Sequence, residues 1–154
     1  MSKGTELKLS KMLSVDCVVD LISSKKENVI KELVQVISTC KSISNRLDFY
    51  KAVFDREKLA STGIGSGVAV PHAKSACVSD FVIALGRKPE GINFESVDGE
   101  PVSVVMLIGA PENRTDDLLR LLSKILLIFK NSKFRKKVNE ARSKADLINA
   151  FKDK

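Results

Sequence analysis

The sequence predicts an α/β domain, with a mixed central β-sheet covered by helices on both faces. Three observations carry that expectation. Val104-Val-Met-Leu-Ile108 is apolar at every position, the pattern of a central strand buried on both sides. Two stretches, 29–40 and 115–130, repeat apolar residues at helical spacing. The order helix, helix, strand, strand, strand pair, helix, helix, helix then supplies cover for a sheet on each side.

Taken in order, residues 1–6 read as a flexible tail and Leu7-Lys-Leu9 as at most a short edge strand. Ser24-Lys-Lys-Glu27 has the form of a capping box, and Val29, Ile30, Leu33, Val34, Val36, Ile37 and Cys40 follow on one helical face. A second helix is expected near Asn45–Lys58, with Leu47, Tyr50 and Phe54 along one face and Phe49 and Val53 broadening it. Val68-Ala-Val70 is strand-like, and Pro71, lacking an N–H, is expected to end its pairing and set His72 at the strand's mouth. Asp80–Leu85 reads as a strand closed by Gly86. Ile92–Val97 and Val102–Ile108 flank the turn signal Asp98-Gly99, and Gly109-Ala-Pro111 ends the second of them. Thr115–Lys130, leucine and isoleucine on most sides, is expected to be the core helix, with Asp116 and Asp117 opposite the positive end of its dipole. Shorter helices are expected around Lys133–Arg142 and Ala145–Phe151.

Composition narrows the function. With 154 residues, 44% hydrophobic and 29% charged, the chain is long enough for one core, and one domain across residues 1–154 is expected. No apolar run approaches the roughly 20 residues of a membrane helix and the first residues lack a signal peptide's apolar stretch, so the expectation is a cytoplasmic protein without membrane contact. Cys17, Cys40 and Cys77 are odd in number and widely spaced, and there is one histidine, so neither a disulfide framework nor a metal site is expected. The net charge of +7 is concentrated in residues 124–154, where ten Lys and Arg face three acids. Without aromatic interleaving or a binding motif this reads as a solvated helix face able to steer an acidic protein partner, and nucleic acid is not an expected ligand.

The only histidine, His72, follows a glycine-rich stretch, Gly63-Ile-Gly-Ser-Gly67. Such a loop leaves backbone N–H groups able to line an anion site. It is not a nucleotide motif: the spacing is not G-x-G-x-x-G, it leads into β-branched residues, and no Gly-Lys-Ser/Thr follows. On residues alone two readings of His72 stand, a functional imidazole beside an anion loop or a half-buried side chain with one satisfied hydrogen bond.

The run Arg56-Glu-Lys-Leu-Ala-Ser-Thr-Gly-Ile-Gly-Ser-Gly-Val-Ala-Val-Pro-His-Ala-Lys74 closely resembles the active-site segment of phosphotransferase-system enzyme IIA domains of the fructose and mannitol type, and most of all their nitrogen-regulatory branch. Phe94-Glu-Ser-Val-Asp-Gly-Glu-Pro-Val102, the strand ending Gly109-Ala-Pro-Glu112 and the leucine-rich helix after it extend the resemblance from about Leu7 to Phe151. It implies a phosphocarrier without cofactor, in which His72 accepts a phosphoryl group from the phosphohistidine of an HPr-type carrier protein. Neutral imidazole suits that role because it is nucleophilic near pH 7. Arg56 matches the family's active-site arginine and would stabilise charge on the transferring group. N–H groups of Gly63, Gly65 and Gly67 and hydroxyls of Ser61, Thr62 and Ser66 would bind its oxygens. The implied partners are the carrier and either a regulatory target protein or an enzyme IIB, with a non-catalytic binding module on the same fold as a further alternative. One departure bears on the choice: where the family usually has a second active-site histidine, this chain has Leu118, with Thr115 and Asp117 nearby.

Overall fold

The computed structural model describes residues 7–154, so the expected tail at 1–6 lies outside the described residues. The elements in order are α1 (Leu9–Met12), a 3-10 turn (Val15–Cys17), β1 (Val18–Asp20), α2 (Lys26–Ile37), α3 (Arg46–Leu59), β2 (Gly63–Gly65), β3 (Val68–Ala69), β4 (His72–Ser75), β5 (Val82–Ile92), β6 (Val102–Pro111), α4 (Thr115–Lys130), α5 (Ser132–Glu140) and α6 (Lys144–Ala150). The strands form one sheet in the order β1-β5-β6-β3-β2, with β4 also paired to β6. The sheet is mixed, since β1–β5, β3–β6 and β4–β6 are parallel while β2–β3 and β5–β6 are antiparallel.

β6 is the expected central strand, and its period-two alternation feeds two cores. Val104, Met106, Ile108 and Ala110 pack with Leu118, Leu121, Ile125 and Phe129 of α4 and with Phe134 and Phe151 beyond it. Val105 and Leu107 pack on the other side with Ile30, Leu33 and Ile37 of α2 and Phe49 and Val53 of α3. Each such side chain contributes roughly 1.5–3 kcal/mol of burial, so both faces of β6 hold the helices that flank them.

Several elements differ from the sequence expectation for identifiable reasons. Leu7–Leu9 is not an edge strand: Leu9 begins α1 and is fully buried. The edge position belongs to β1, parallel to β5, which three residues are too few to announce. The capping box does not form; the N-cap of α2 is Lys25, without a side-chain bond, and the approach to the helix is held by Glu32, whose carboxylate accepts from the N–H groups of Ile22 and Ser23. On α3 the buried stripe is Phe49, Val53 and Glu57, and Leu47 is 73% exposed. Gly86 does not close β5, which runs on to Ile92. A Cβ there would lie 2.7 Å from Leu21 Cδ2, so the glycine serves the close approach of the segment following β1. Past Ile92 the expected strand to Val97 is a loop, and Gly109–Pro111 continue β6 because β4 pairs with them. α4 buries one face only, and Leu119, Leu126 and Leu127 remain exposed. The last three helices fall within two residues of expectation at each end, and Ser143 caps α6 by accepting from Asp146 N–H.

Candidate active site

Pro71 interrupts a strand rather than ending it. β3 pairs with β6 at Val68↔Val104 and Ala69↔Val105, and β4 resumes three residues later at His72↔Ile108. Pro71 still participates as an acceptor, its carbonyl taking the Ile108 N–H at 3.0 Å. His72 therefore opens a parallel strand instead of standing at the mouth of a finished one. Val70 lies in the α4-side core and Ala73 in the opposite one, so alternation puts His72 and Lys74 on the face that α4 covers.

The ring is held by one bond, Nδ1 to the Val70 carbonyl at 2.9 Å. A carbonyl only accepts, so Nδ1 carries the hydrogen and Nε2 keeps the lone pair. Burial is the main cause that pushes the His72 pKa below its ordinary value. The positive charges of Arg56 and Lys74 act in the same direction, against the Val70 hydrogen bond and the Glu57 carboxylate. The result is a half-buried neutral imidazole with a free nucleophilic nitrogen and two cations near it.

Arg56 comes from the last turn of α3, where Nη1 donates to the Ala60 carbonyl at 3.0 Å. That bond uses one of five guanidinium donors, so the rest of the fork can meet an anion. Lys74, two residues beyond His72, donates through Nζ to Thr115 Oγ1 at 2.9 Å and so joins β4 to the first turn of α4. Sequence reasoning did not single out Lys74. Its signal was the period of two on a strand, which puts it on the same face as His72.

Glu57 was missed as well. It is 8% exposed, its Oε2 accepts from Thr62 N–H at 2.8 Å and its Oε1 from the Thr62 hydroxyl at 2.6 Å, and Lys26 Nζ lies 2.8 Å from Oε2. Lys26 also sits 4.8 Å from the centre of the Phe94 ring. A buried carboxylate thus ties the end of α3, the start of α2 and the segment ahead of the glycine loop together. The signal was available: Glu57 stands four and eight residues after Val53 and Phe49 on the buried stripe.

The structure does not gather the sequence-predicted phosphate ligands around His72. The Ser61 hydroxyl donates to Phe94 O at 2.6 Å and accepts from Gly63 N–H, and the Thr62 hydroxyl is committed to Glu57, so each single O–H is already in use. Gly63–Gly65 form β2 and Ser66-Gly67 the turn of the β2–β3 hairpin, with Gly65, Ser66 and Gly67 all at positive φ. Its tip lies beside Val68, four β6 residues and so about 13 Å from His72 at roughly 3.3 Å per residue. The Ser66 N–H there is taken by Asp98 Oδ2 at 3.2 Å. A carboxylate of this chain is thus the partner of the Ser66 N–H at that turn.

Leu118 is 4% exposed in the core that also holds Val70, Ile108 and Ala110. Asp117, beside it, is engaged by Arg120 first and Arg114 second, whose hydrogen bonds hold its carboxyl below the usual range. A cavity of about 570 Å³ lies elsewhere, between α4, α5 and α6, and neither His72, Arg56, Lys74 nor Glu57 lines it. No helix of the described residues is long and apolar enough to cross a membrane.

Comparison with known proteins agrees with this fold. Residues 11–154 match the family model described as phosphoenolpyruvate-dependent sugar phosphotransferase system, EIIA 2. The chain is 36% identical over 143 residues to the fructose-specific EIIABC component of Bacillus subtilis, covering 92% of this chain but 22% of that much longer protein. It is 33% identical over 121 residues to a nitrogen regulatory protein of Bradyrhizobium diazoefficiens, covering 79% of this chain and 78% of that one. The crystal structure of nitrogen regulatory protein IIA-Ntr from Neisseria meningitidis superposes with a TM-score of 0.86 at 30% identity, over 93% of this chain and 98% of that one. The chain belongs to the EIIA 2 family of the phosphotransferase system.

Proposed function

We propose that this chain is a phosphocarrier that accepts a phosphoryl group on His72 Nε2 from an HPr-type phosphohistidine carrier and signals through protein contacts that depend on that modification. The observation that carries the reading is the Nδ1 bond to Val70, which leaves Nε2 with its lone pair in a ring kept neutral by burial. Nε2 attacks phosphorus, the donor's N–P bond breaks, and the donor imidazole leaves with the electron pair. The ring gains positive charge on forming the new N–P bond, and the Val70 carbonyl on Nδ1–H stabilises it. Arg56 and Lys74 supply potential for the equatorial oxygens of the transferring group, so positioning and electrostatics do the catalytic work. No metal or nucleotide enters this step.

The regulatory reading over sugar transport rests on Leu118. A second imidazole beside His72 would donate a hydrogen bond to the phosphoryl group, and a buried leucine cannot. Likeness to a fructose-specific protein favours the other reading, in which an enzyme IIB takes the phosphoryl group onward. The test is incubation with phosphoenolpyruvate, enzyme I and an HPr-type carrier, followed by intact mass. One added phosphoryl group in wild type and none in His72→Ala is the expected result. Single-turnover discharge then separates the readings, with slow transfer to a cognate enzyme IIB expected for the regulator and rapid transfer for sugar uptake.

A further inference from the structure

Two thiols outside this site meet across the fold. Cys17 ends the 3-10 turn that leads into β1, and Cys40 lies in the turn after α2, 23 residues later. Their sulfur atoms are 3.0 Å apart. Cys17 is 2% exposed and packs in the core shared with α2 and α3, while Cys40 is half-buried. Both stand in backbone fixed by its own hydrogen bonds: Cys17 N–H donates to Ser14 O, Cys40 N–H to Ile37 O, and Ile43 N–H to Cys40 O. Cys77, the third thiol, is engaged separately with Ser75 Oγ.

A disulfide bond needs a sulfur separation near 2.04 Å, so this pair must close by about 1 Å, within reach of small side-chain rotations. We propose that Cys17 and Cys40 are a modification site, a dithiol that a peroxide converts to one intramolecular disulfide tying the start of β1 to the end of α2. The more accessible Cys40 gives up its proton, its thiolate attacks one peroxide oxygen, the O–O bond breaks, and Cys40 becomes a sulfenic acid while the departing hydroxide takes up that proton and leaves as water. Cys17 sulfur then attacks Cys40 sulfur, and the hydroxyl leaves as water with the Cys17 proton. Two thiols and one hydrogen peroxide thus give one disulfide and two waters.

The pair is built to react slowly. Burial, first, and the hydrogen bond and charge of Cys17 push the Cys40 thiol up to about 12, with Asp16 adding in the same direction. Little thiolate exists at neutral pH, so the oxidation is a durable lock under sustained peroxide and not a rapid sensor. Closing the loop between residues 17 and 40 restricts the unfolded chain, and the melting temperature should rise by roughly 5–10 °C. The lock acts on α2, whose opposite end carries Lys26, but the inference stands independently of the phosphocarrier reading.

The test treats the full chain carrying Cys77→Ser with hydrogen peroxide, blocks residual thiols by alkylation, and measures intact mass and non-reduced peptides. The expected product is a monomer lighter by two hydrogens, with a Cys17–Cys40 cross-linked peptide, the raised melting temperature, and reversal by dithiothreitol. Its rate should climb about tenfold per pH unit across the alkaline range below the Cys40 pKa. Cys40→Ala, at a half-buried turn position, should abolish it, which keeps the test sound even where Cys17→Ser perturbs folding. Oxygen adducts on either sulfur without the cross-link, disulfide-linked dimers, or two thiols still open to alkylation after peroxide would overturn the proposal.

Discussion

His72 is a nucleophile only while its ring is neutral, so its ionisation is the residue-scale quantity on which the site depends. Its pKa lies below the ordinary imidazole value of about 6.5, chiefly through burial. Phosphoryl acceptance should therefore stay level from pH 8 down through 6.5 and fall only in more acidic solution, as should an NMR titration of the ring. The same shift has a stability consequence. The unfolded chain takes up the proton first, so the contribution of neutral His72 is complete above about pH 6.5 and is lost as pH falls through the folded pKa. A ring that titrates above 6.5 would contradict the placement. Arg56 and Glu57, neighbours in sequence, should separate cleanly. Arg56→Lys keeps the charge but loses the planar fork, and phosphorylation should slow about tenfold with thermal stability nearly unchanged. Glu57→Ala strips the partner from Lys26 and the acceptor from Thr62, and should cost about 3 kcal/mol in a denaturant titration.

At the scale of elements, the end of α3 and the start of α4 bracket β4, and each was only partly legible. The sequence pointed to His72 and Arg56 by motif, but it could not show that Ser61 and Thr62 spend their hydroxyls on Phe94 and Glu57, because those partners lie in tertiary contacts. Nor could it show that the glycine turn is the far end of a hairpin closed by Asp98. A glycine cluster reports a backbone requirement, and here the requirement is a tight turn with positive φ at three consecutive residues. β1 and α1 were missed because elements of three or four residues carry no periodicity to read. Long elements were legible for the opposite reason, α4 above all, whose bounds agree with the expectation. Leu118 in its first turn supplies the element-scale prediction. Leu118→His should speed discharge of the phosphorylated protein to an enzyme IIB, and rapid wild-type discharge that the histidine leaves unimproved would overturn the regulatory reading.

For the whole molecule, the two cores on either face of β6 hold β4 between helices that answer to different parts of the chain. α2 and α3 reach the site through Lys26, Glu57 and Arg56, and α4 reaches it through Thr115 and Leu118. The basic segment 124–154 falls largely on α5, α6 and the end of α4, and the proposal is that an acidic partner approaches it. Raising the ionic strength should slow phosphoryl exchange with such a partner and leave the melting temperature almost unchanged. The residue that holds the phosphoryl group in the intact chain decides whether the protein is the proposed phosphocarrier. NMR of the uniformly 15N-labelled protein after phosphorylation by an HPr-type carrier reads this directly. The predicted result is one N–P bond at His72 Nε2, with Nδ1 still protonated and bonded to Val70, lost in acid and stable in base. A phosphoryl group on Nδ1, on any other residue, or one that survives acid would contradict it.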